Sequence, residues 1–310
     1  MSTSLVMGSR SSKLAMAQTG LVRDAIADRF PDLDVRIEQI STTGDRERTT
    51  PLARIGGQGL FTKEIEEALL SGRIDLAVHS LKDLPTRLPE GLVLAAVSAR
   101  EDPHDVLICR DGGGLDDLPS GAVVGTSSLR RRAQLLACRS DLDVRDIRGN
   151  LDTRLRKLSD EGYDAIVVAR AGLLRLGVAP PAAEILSYDV MLPAVGQGAL
   201  GIETRADDSG TRERVAVVHD EATACCVRAE RAFLAALEGG CQVPIGAVAE
   251  VTEGELLLHG LVSALDGGAC VRGEQGGRPD RGESVGEGLA RRLLEEGGED
   301  ILRRVRADGG

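Results

Sequence analysis

Leu5-Val6-Met7-Gly8-Ser9-Arg10-Ser11-Ser12-Lys13 is the stretch that decides the fold, because a short apolar strand ends there in a polar turn from which a helix begins. The helix is predicted over Lys13–Arg29, where apolar residues recur along one face at the helical period. A related pattern returns at 123–134, where Val-Val-Gly-Thr and a later Ala-Gln pair resemble Val-Met-Gly-Ser at 6–9 and Ala-Gln at 17–18. The repeat predicts two related βα lobes, and chance similarity between strand patterns is the alternative.

Strand and helix signals alternate through the first two thirds of the chain. The predicted strands are 5–8, 34–41, 76–79, 92–97, 122–125, 144–147 and 165–169, and the predicted helices after the first are 62–70, 129–139 and 151–161. Such alternation is typical of open, mainly parallel sheets that bind ligands at the carboxyl ends of their strands. Two lobes of this kind are expected to bind a ligand in the cleft between them.

The last third of the chain has a different pattern. A helix is predicted at 222–237, followed by strands at 245–251, 255–262 and 269–273 and by a helix at 288–296. The intervening stretch 276–288 is rich in glycine and charge and is predicted to be a surface loop. This part of the sequence indicates a small α+β domain.

Composition limits the classes of function. The chain has 310 residues, 42% of them hydrophobic, and a net charge of −11, which argues against wrapping nucleic acid or binding an anionic membrane. No segment approaches the ~18 apolar residues of a membrane span, and the N-terminal apolar run is too short for a signal peptide. The six cysteines are irregularly spaced, which disfavours a disulfide framework or a zinc site. A reduced cytoplasmic enzyme without a metal is the expectation.

Two strand-to-helix turns, 8–12 and 125–132, place hydroxyls and free backbone amides at a helix N-terminus. That arrangement binds anions through the unpaired N–H groups and the helix dipole. Simple capping by serine or threonine is the alternative, and for Ser11 or Ser128 alone it is the better one. Arg130, Arg131 and Arg132 oppose the dipole at the second turn, a cost that makes sense if an anion neutralises them.

Further arginines follow predicted strands. Arg148 and Arg154 flank a strand end and the first turn of the next helix, and Arg175 comes after the strand at 165–169. A ligand with several carboxylates would use such groups together, each charge-assisted hydrogen bond contributing roughly 1.5–3 kcal/mol. A solvated helix face explains the neighbouring Arg156 and Lys157 equally well.

The segment 79–86, His-Ser-Leu-Lys-Asp-Leu-Pro-Thr, ends a strand that reads as buried. Asp83 beside Lys82 is either an ordinary capping pair or a carboxylate that stabilises a developing positive charge and moves protons. The four histidines are scattered, so a histidine-based triad has little support.

Cys241 follows two glycines and precedes Pro244, at the junction between the predicted helix 222–237 and the next strand. The glycines allow a sharp turn and the proline stiffens its exit, so the thiol is presented rather than packed. A small buried hydrophobic residue is the alternative for a free cysteine.

Four motifs together resemble the porphobilinogen deaminase family, also called hydroxymethylbilane synthases, over essentially the whole chain. They are 230–246 (ERAFLAALEGGCQVPIG), 79–86 (HSLKDLPT), 125–132 (GTSSLRRR) and 147–154 (IRGNLDTR). The resemblance implies two lobes like periplasmic binding proteins, 1–98 with 199–216 and 104–192, and a third domain at 221–310. A flap is expected at about 42–59.

The resemblance also implies a dipyrromethane cofactor, held by a thioether to Cys241 and made by the enzyme from its own substrate. Four porphobilinogen units would be deaminated and joined head-to-tail on this primer, and hydrolysis would release the linear tetrapyrrole hydroxymethylbilane. A monomer is implied, and hand-off of the product to uroporphyrinogen-III synthase is an expectation.

The resemblance assigns roles residue by residue. Asp83 matches the catalytic carboxylate, which would stabilise the cationic azafulvene left by loss of ammonia. The residues that match cofactor-binding positions besides Cys241 are Lys82, Thr126, Ser128, Arg130 and Arg131. Those that match substrate-binding positions are Arg10, Ser12, Arg148, Arg154 and Arg175. Gln58 departs from the lysine of many relatives, which puts substrate contacts there in doubt, whereas Arg54 preserves the charge.

Two other functions are considered. A non-catalytic binding protein of the same two-lobed architecture would use the arginines for an organic anion. A thiol hydrolase would use Cys241 as a nucleophile, but it needs a histidine partner that the sequence does not suggest.

Overall fold

The computed structural model describes residues 4–46, 59–237 and 243–308. These fall into two compact units, the first made of 4–46, 59–101 and 198–224 and the second of 102–197, 225–237 and 243–308. The chain thus leaves the first unit after Glu101 and returns to it at Gly198. The division into three domains with the boundaries given above stays a prediction.

The described strands are β1 Ser4–Ser9, β2 Asp34–Gln39, β3 Leu76–Ser80, β4 Leu92–Val97, β5 Asp105–Cys109, β6 Val123–Gly125, β7 Asp143–Arg145, β8 Ala165–Ala169, β9 Ala183–Ile185, β10 Leu200–Arg205, β11 Ile245–Thr252, β12 Glu255–Ser263 and β13 Cys270–Gly277. The described α-helices are α1 Lys13–Arg29, α2 Thr43–Arg46, α3 Lys63–Leu70, α4 Leu129–Cys138, α5 Leu151–Asp160, α6 Arg170–Arg175, α7 Ser209–Val215, α8 Glu221–Ala236, α9 Gly282–Leu293 and α10 Glu299–Asp308.

The first unit contains a five-stranded sheet in the order β2-β1-β3-β10-β4. β1 is parallel to both β2 and β3, whereas β10 is antiparallel to β3 and β4. One face of the sheet packs on α1 through Val22 and Ile26, which meet Leu5, Met7 and Leu76 in a dry core. Burial of such side chains contributes about 1.5–3 kcal/mol each and holds the strand ends in register.

The second unit repeats this plan in a sheet of order β7-β6-β8-β5-β9. β6 is parallel to β7 and β8, and β5 is antiparallel to β8 and β9. In each sheet, three neighbouring strands are parallel. Two further strands lie on one side of them, and each of these is antiparallel to the strand before it in the sheet order. The predicted fold class, two α/β lobes with a small α+β part, is confirmed by these sheets together with the next one.

The α+β part is an antiparallel meander, β11-β12-β13, covered by helices. Its core joins Phe233 of α8, Leu258 of β12 and Leu289 of α9, all fully buried. Gly260 lies under the Phe233 ring, where an added Cβ would come within 2.6 Å of a ring atom, so the close approach requires glycine.

The surface loop predicted at 276–288 is wrong. β13 continues to Gly277, and α9 begins at Gly282. A helix was predicted only from 288, and its beginning was missed because its packed face uses glycine. Gly286 lies so close to α8 that an added Cβ would be 2.2 Å from the carbonyl oxygen of Ala229. Close backbone packing of this kind removes the apolar periodicity by which a helix is recognised.

Along the described residues, no helix combines the length and the apolar character needed to cross a membrane.

Candidate active site

Two turns of the first unit emerge at the same edge of its sheet. β1 and β3 are parallel neighbours, with Met7 opposite Leu76 and Gly8 opposite Ala77. The turn after β1 carries Arg10 and Ser12, and the turn after β3 carries Lys82 and Asp83. Because the carboxyl ends of parallel strands lie at one edge, four of the predicted site residues share this edge.

Asp83 ends a single-turn 3₁₀ helix, Leu81–Asp83, and is half-buried. The turn is held from two sides: the Leu81 N–H donates to the Ala199 carbonyl over 3.0 Å, and the Ser80 hydroxyl donates to Oε1 of Gln18 over 3.0 Å. The Leu81 side chain is buried and fixes the turn to the core. The carboxylate of Asp83 is therefore carried on a rigid support at the strand end.

Arg10 lies against a carboxylate that the sequence analysis missed. Its guanidinium donates to both carboxylate oxygens of Asp45, with an Nη2–Oδ1 distance of 2.6 Å, and lies 4.1 Å from the centroid of the Phe61 ring. Burial alone would raise the pKa of Asp45, but hydrogen bonds and charge from Arg10, together with Thr42, hold it below its ordinary value. Arg10 thus binds a carboxylate through a charge-assisted pair of hydrogen bonds, the chemistry expected of a carboxylate-binding guanidinium.

The hydroxyls of Ser12 and Ser128 cap helices. Ser12 accepts from the Ala15 N–H at the start of α1, and Ser128 accepts from the Arg131 N–H at the start of α4. Thr126 is buried, and its hydroxyl oxygen accepts from the Ser128 N–H. The capping interpretation is therefore correct for Ser128, whereas at the first turn the cap is Ser12 and not Ser11 as expected. A hydroxyl that accepts can still donate its own proton, so capping leaves these groups able to bind an anion.

Three turns of the second unit also share one edge. They follow the parallel strands β6, β7 and β8 and contain 126–131, 148–150 and the helix α6. Arg148, Arg154 and Arg175 are each half-buried at these positions, and Nε of Arg154 donates to the Gly149 carbonyl over 2.9 Å. The second unit therefore gathers guanidinium groups at the edge where the fold binds ligands.

Arg130 and Arg131 are buried instead of facing solvent. Only 6% and 7% of their side chains are exposed, and both pair with Asp105, which is fully buried. Nη1 of Arg130 lies 2.7 Å from Oδ2 of Asp105, and Nη2 of Arg131 lies 2.7 Å from Oδ1. Burial would raise the pKa of Asp105, but the two guanidinium groups reverse this and hold it far below its ordinary value.

This cluster carries two positive charges against one negative charge. Nε of Arg130 is buried and has no hydrogen-bond partner among the described residues. An excess cation with an unsatisfied donor suits a carboxylate-bearing ligand. Asp105 was not predicted as a partner of these arginines, because it lies 25 positions before Arg130 and no neighbouring residue marks it as one.

Cys241, Arg54 and Gln58 lie outside the described residues. The described chain on either side of Cys241 is fixed, since α8 ends at Ala236 and β11 begins at Ile245. Glu230 of α8 is fully buried, and its two carboxylate oxygens accept from the Gly196 N–H over 2.7 Å and from the Ala249 N–H over 2.8 Å. The helix that leads to Cys241 is thereby tied to β11 and to the chain at 196.

The donor set fits a dipyrromethane cofactor. Each pyrrole of such a group bears carboxylates, and each unit, taken by itself, offers guanidinium and hydroxyl groups at the carboxyl ends of its parallel strands. In the same described residues, no three His, Cys, Asp or Glu side chains gather as metal ligands.

Comparison with known proteins agrees with this chemistry. The family model "Porphobilinogen deaminase, dipyromethane cofactor binding domain" matches residues 5–213, and the porphobilinogen deaminase C-terminal domain matches 224–295. The porphobilinogen deaminase of Desulforudis audaxviator is 53% identical over 98% of both chains. That of Roseiflexus sp. strain RS-1 is 52% identical over 97% of this chain and 99% of its own.

Among solved structures, the chain is similar to the periplasmic aliphatic sulphonate binding protein SsuA from Escherichia coli. The two are 14% identical, with coverage of 77% of this chain and 71% of that chain and a TM-score of 0.39. The fold and the matched domains together define a transferase of tetrapyrrole biosynthesis with a dipyrromethane cofactor. The chain belongs to the porphobilinogen deaminase family.

Proposed function

We propose that this enzyme deaminates four porphobilinogen units and joins them head-to-tail, on a dipyrromethane primer attached to Cys241, into hydroxymethylbilane. The observation that carries the proposal is the placement of one carboxylate, Asp83, at the same sheet edge as Arg10, at the carboxyl end of a buried strand. A reaction that develops positive charge on a polyanionic substrate needs both kinds of group.

The arginines hold the carboxylates of the pyrrole rings. Arg10 in the first unit and Arg148, Arg154 and Arg175 in the second are assigned to the substrate, with Ser12 as a supporting donor. Lys82, Thr126, Ser128, Arg130 and Arg131 are assigned to the primer. The half-buried positions of Arg148, Arg154 and Arg175 support this assignment, because partial burial strengthens a charge-assisted hydrogen bond while leaving the group accessible.

Asp83 acts on the reacting ring. Loss of ammonia from an aminomethylpyrrole leaves positive charge shared with the ring nitrogen, and a carboxylate near that nitrogen stabilises it. The same carboxylate can accept the proton released when two rings join. When bound, the dipyrromethane supplies the nucleophilic pyrrole carbon to which the first substrate unit is joined.

Purified protein is expected to carry its primer. Its intact mass should exceed the sequence mass by one dipyrromethane, it should colour with Ehrlich's reagent, and after denaturation it should titrate five thiols instead of the six in the sequence. Cys241→Ser should show the unmodified mass and no colour. Cys138→Ser is the matched control because Cys138 is an exposed free thiol, and this variant should keep the primer. An unmodified Cys241 in active wild-type protein would contradict the proposal.

The cellular setting is also proposed. Among the described residues no disulfide bond joins the cysteines Cys109, Cys138, Cys225, Cys226 and Cys270, which supports placing the protein in the reducing cytoplasm. A monomer and hand-off of the product to uroporphyrinogen-III synthase complete the proposal, and sedimentation of the purified enzyme with and without that synthase tests both.

A further inference from the structure

Three ionisable side chains with no role in the proposed reaction lie inside the first unit. Glu66 of α3 is 8% exposed, His79 of β3 is 5% exposed, and Glu203 of β10 is fully buried. Acidic side chains are rarely buried in this way unless other groups satisfy them. Their arrangement therefore needs a physical explanation.

His79 and Glu203 form a direct pair across two neighbouring strands. In the antiparallel ladder His79 lies opposite Gly201, so Glu203 is its diagonal neighbour on the same face of the sheet. Nε2 of His79 lies 3.0 Å from Oε2 of Glu203. With Glu203 ionised, its carboxylate only accepts, and Nε2 of His79 is then the donor of this hydrogen bond.

The second carboxylate oxygen of Glu203 and one carboxylate oxygen of Glu66 have unsatisfied hydrogen-bonding capacity. Oε1 of each is buried, and neither has a hydrogen-bond partner among the described residues. Both carboxylates are buried and the charge of Glu203 acts on Glu66, so ionising both is costly. Burial is the largest cause that raises the pKa of Glu66, and the charges of Glu203 and of the exposed Glu67 raise it further. A side-chain hydrogen bond from the neighbouring Thr62 hydroxyl and the charge of His79 oppose this shift without cancelling it.

We propose that Glu66 is a protonated carboxylic acid in the folded enzyme, that its O–H is donated to Oε1 of Glu203 while Oε2 of Glu203 accepts from His79, and that this chain of hydrogen bonds positions the turn that carries Asp83. One proton satisfies both orphaned oxygens and leaves one negative charge where there would have been two. Hydrogen bonds in series in a region of low dielectric strengthen one another.

The link to Asp83 follows from the chain direction. His79 is the second-last residue of β3, and Asp83 comes four residues later. The Leu81 N–H in between is bonded to Ala199, directly before β10, the strand that carries Glu203. Two contacts thus join β3 and its turn to β10: the His79–Glu203 pair before the turn and the Leu81–Ala199 hydrogen bond inside it. The effect on turnover rests on the proposed function, whereas the protonation of Glu66 does not.

Infrared spectroscopy tests the protonation directly. The wild-type enzyme at neutral pH should show the carbonyl stretch of a buried carboxylic acid, shifted in D₂O, and Glu66→Gln should remove it. Glu67→Gln, a neighbouring exposed carboxylate on the same helix, should leave the band unchanged. Absence of the band from the wild type, or its persistence in Glu66→Gln, would overturn the proposal.

The same proton predicts the dependence of stability on pH. Because the folded pKa of Glu66 is raised, its stabilising contribution is complete at low pH and is lost as pH rises through that value. The denaturation midpoint of the wild type should therefore fall with rising pH relative to that of Glu66→Gln, in which an amide N–H replaces the O–H. If the denaturation midpoints of the two proteins changed in parallel with pH, the titration of Glu66 would be contradicted.

Glu203→Gln tests positioning. An amide has one acceptor oxygen where the carboxylate has two, so one of the two donors to residue 203 loses its partner. We expect the variant to keep its primer and its KM but to lose up to ~10²-fold in kcat, the usual cost of a small misplacement of a reacting group. Glu67→Gln should match the wild type in both constants. Equal kcat in folded Glu203→Gln and wild type would remove the positioning role, while an unprimed, inactive wild type would instead remove the proposed function.

Discussion

Replacing Asp83 by Asn is expected to leave the enzyme folded and primed while slowing turnover by ~10²- to 10⁴-fold. The amide has nearly the shape of the carboxylate but can neither carry the negative charge nor accept the proton released on condensation. Asp83 ends a turn that is held by the backbone of Leu81 and by the side chains of Ser80 and Leu81, so the support does not depend on its carboxylate.

Single-turnover and steady-state rates, with intact mass to verify the primer, measure this effect. Asp83→Glu should recover part of the lost rate, since it restores the charge at a changed distance. Asp24→Asn, an exposed carboxylate on α1, should behave as the wild type. Turnover near the wild-type rate in primed Asp83→Asn would remove Asp83 from the chemistry.

Replacing Asp105 by Asn is expected to cost about 3–5 kcal/mol in the free energy of unfolding, the usual penalty for removing one partner of a buried ion pair. Two guanidinium groups, those of Arg130 and Arg131, would remain buried without their counterion. Nε2 of Gln197 also donates to Asp105 over 2.9 Å, so the substitution also weakens the attachment of the segment that returns to the first unit after 197. Primer binding should weaken as well, because both arginines would lose their fixed positions.

Denaturant unfolding of the two proteins measures the difference. Asp143→Asn removes an exposed carboxylate that pairs with Arg145 in the same sheet, and it should change stability far less. The pKa of Asp105 is depressed in the folded state, so its contribution is present above the unfolded value of about 4 and is lost as pH falls. The difference in free energy of unfolding between wild type and Asp105→Asn should therefore become smaller at acidic pH. A difference in stability that does not change with pH, or no difference at neutral pH, would contradict the role given to Asp105 and its two arginines.

Local pattern was enough to predict most of the elements. The bounds predicted for α1, β4 and β8 agree with the structure, because each is a short-range pattern of apolar residues that its own packing satisfies. The repeated strand order of the two sheets confirms the internal repeat detected around β1 and β6. The start of α9 was not predictable in this way, since its signal is a close contact with α8.

Some residues of the candidate site could likewise be predicted from local pattern, and others could not. Arg10 and Asp83 could be placed at strand ends from the sequence, because an α/β sheet presents its turns at one edge. Asp45 and Asp105 could not be, because nothing in their neighbouring residues marks them as partners of arginines. Asp105 lies 25 positions from Arg130, and Asp45 lies 35 from Arg10.

By itself, the sequence determined the alternating elements, the two related lobes, and which strand ends carry cations and which carries Asp83. These follow from short-range periodicity and from the fixed geometry of parallel strands. Only the tertiary structure decided the electrostatics: which arginines pair with buried carboxylates, and which buried carboxyl group has a raised pKa. Electrostatic energy depends on distance and burial in space, and neither can be read from separation along the chain.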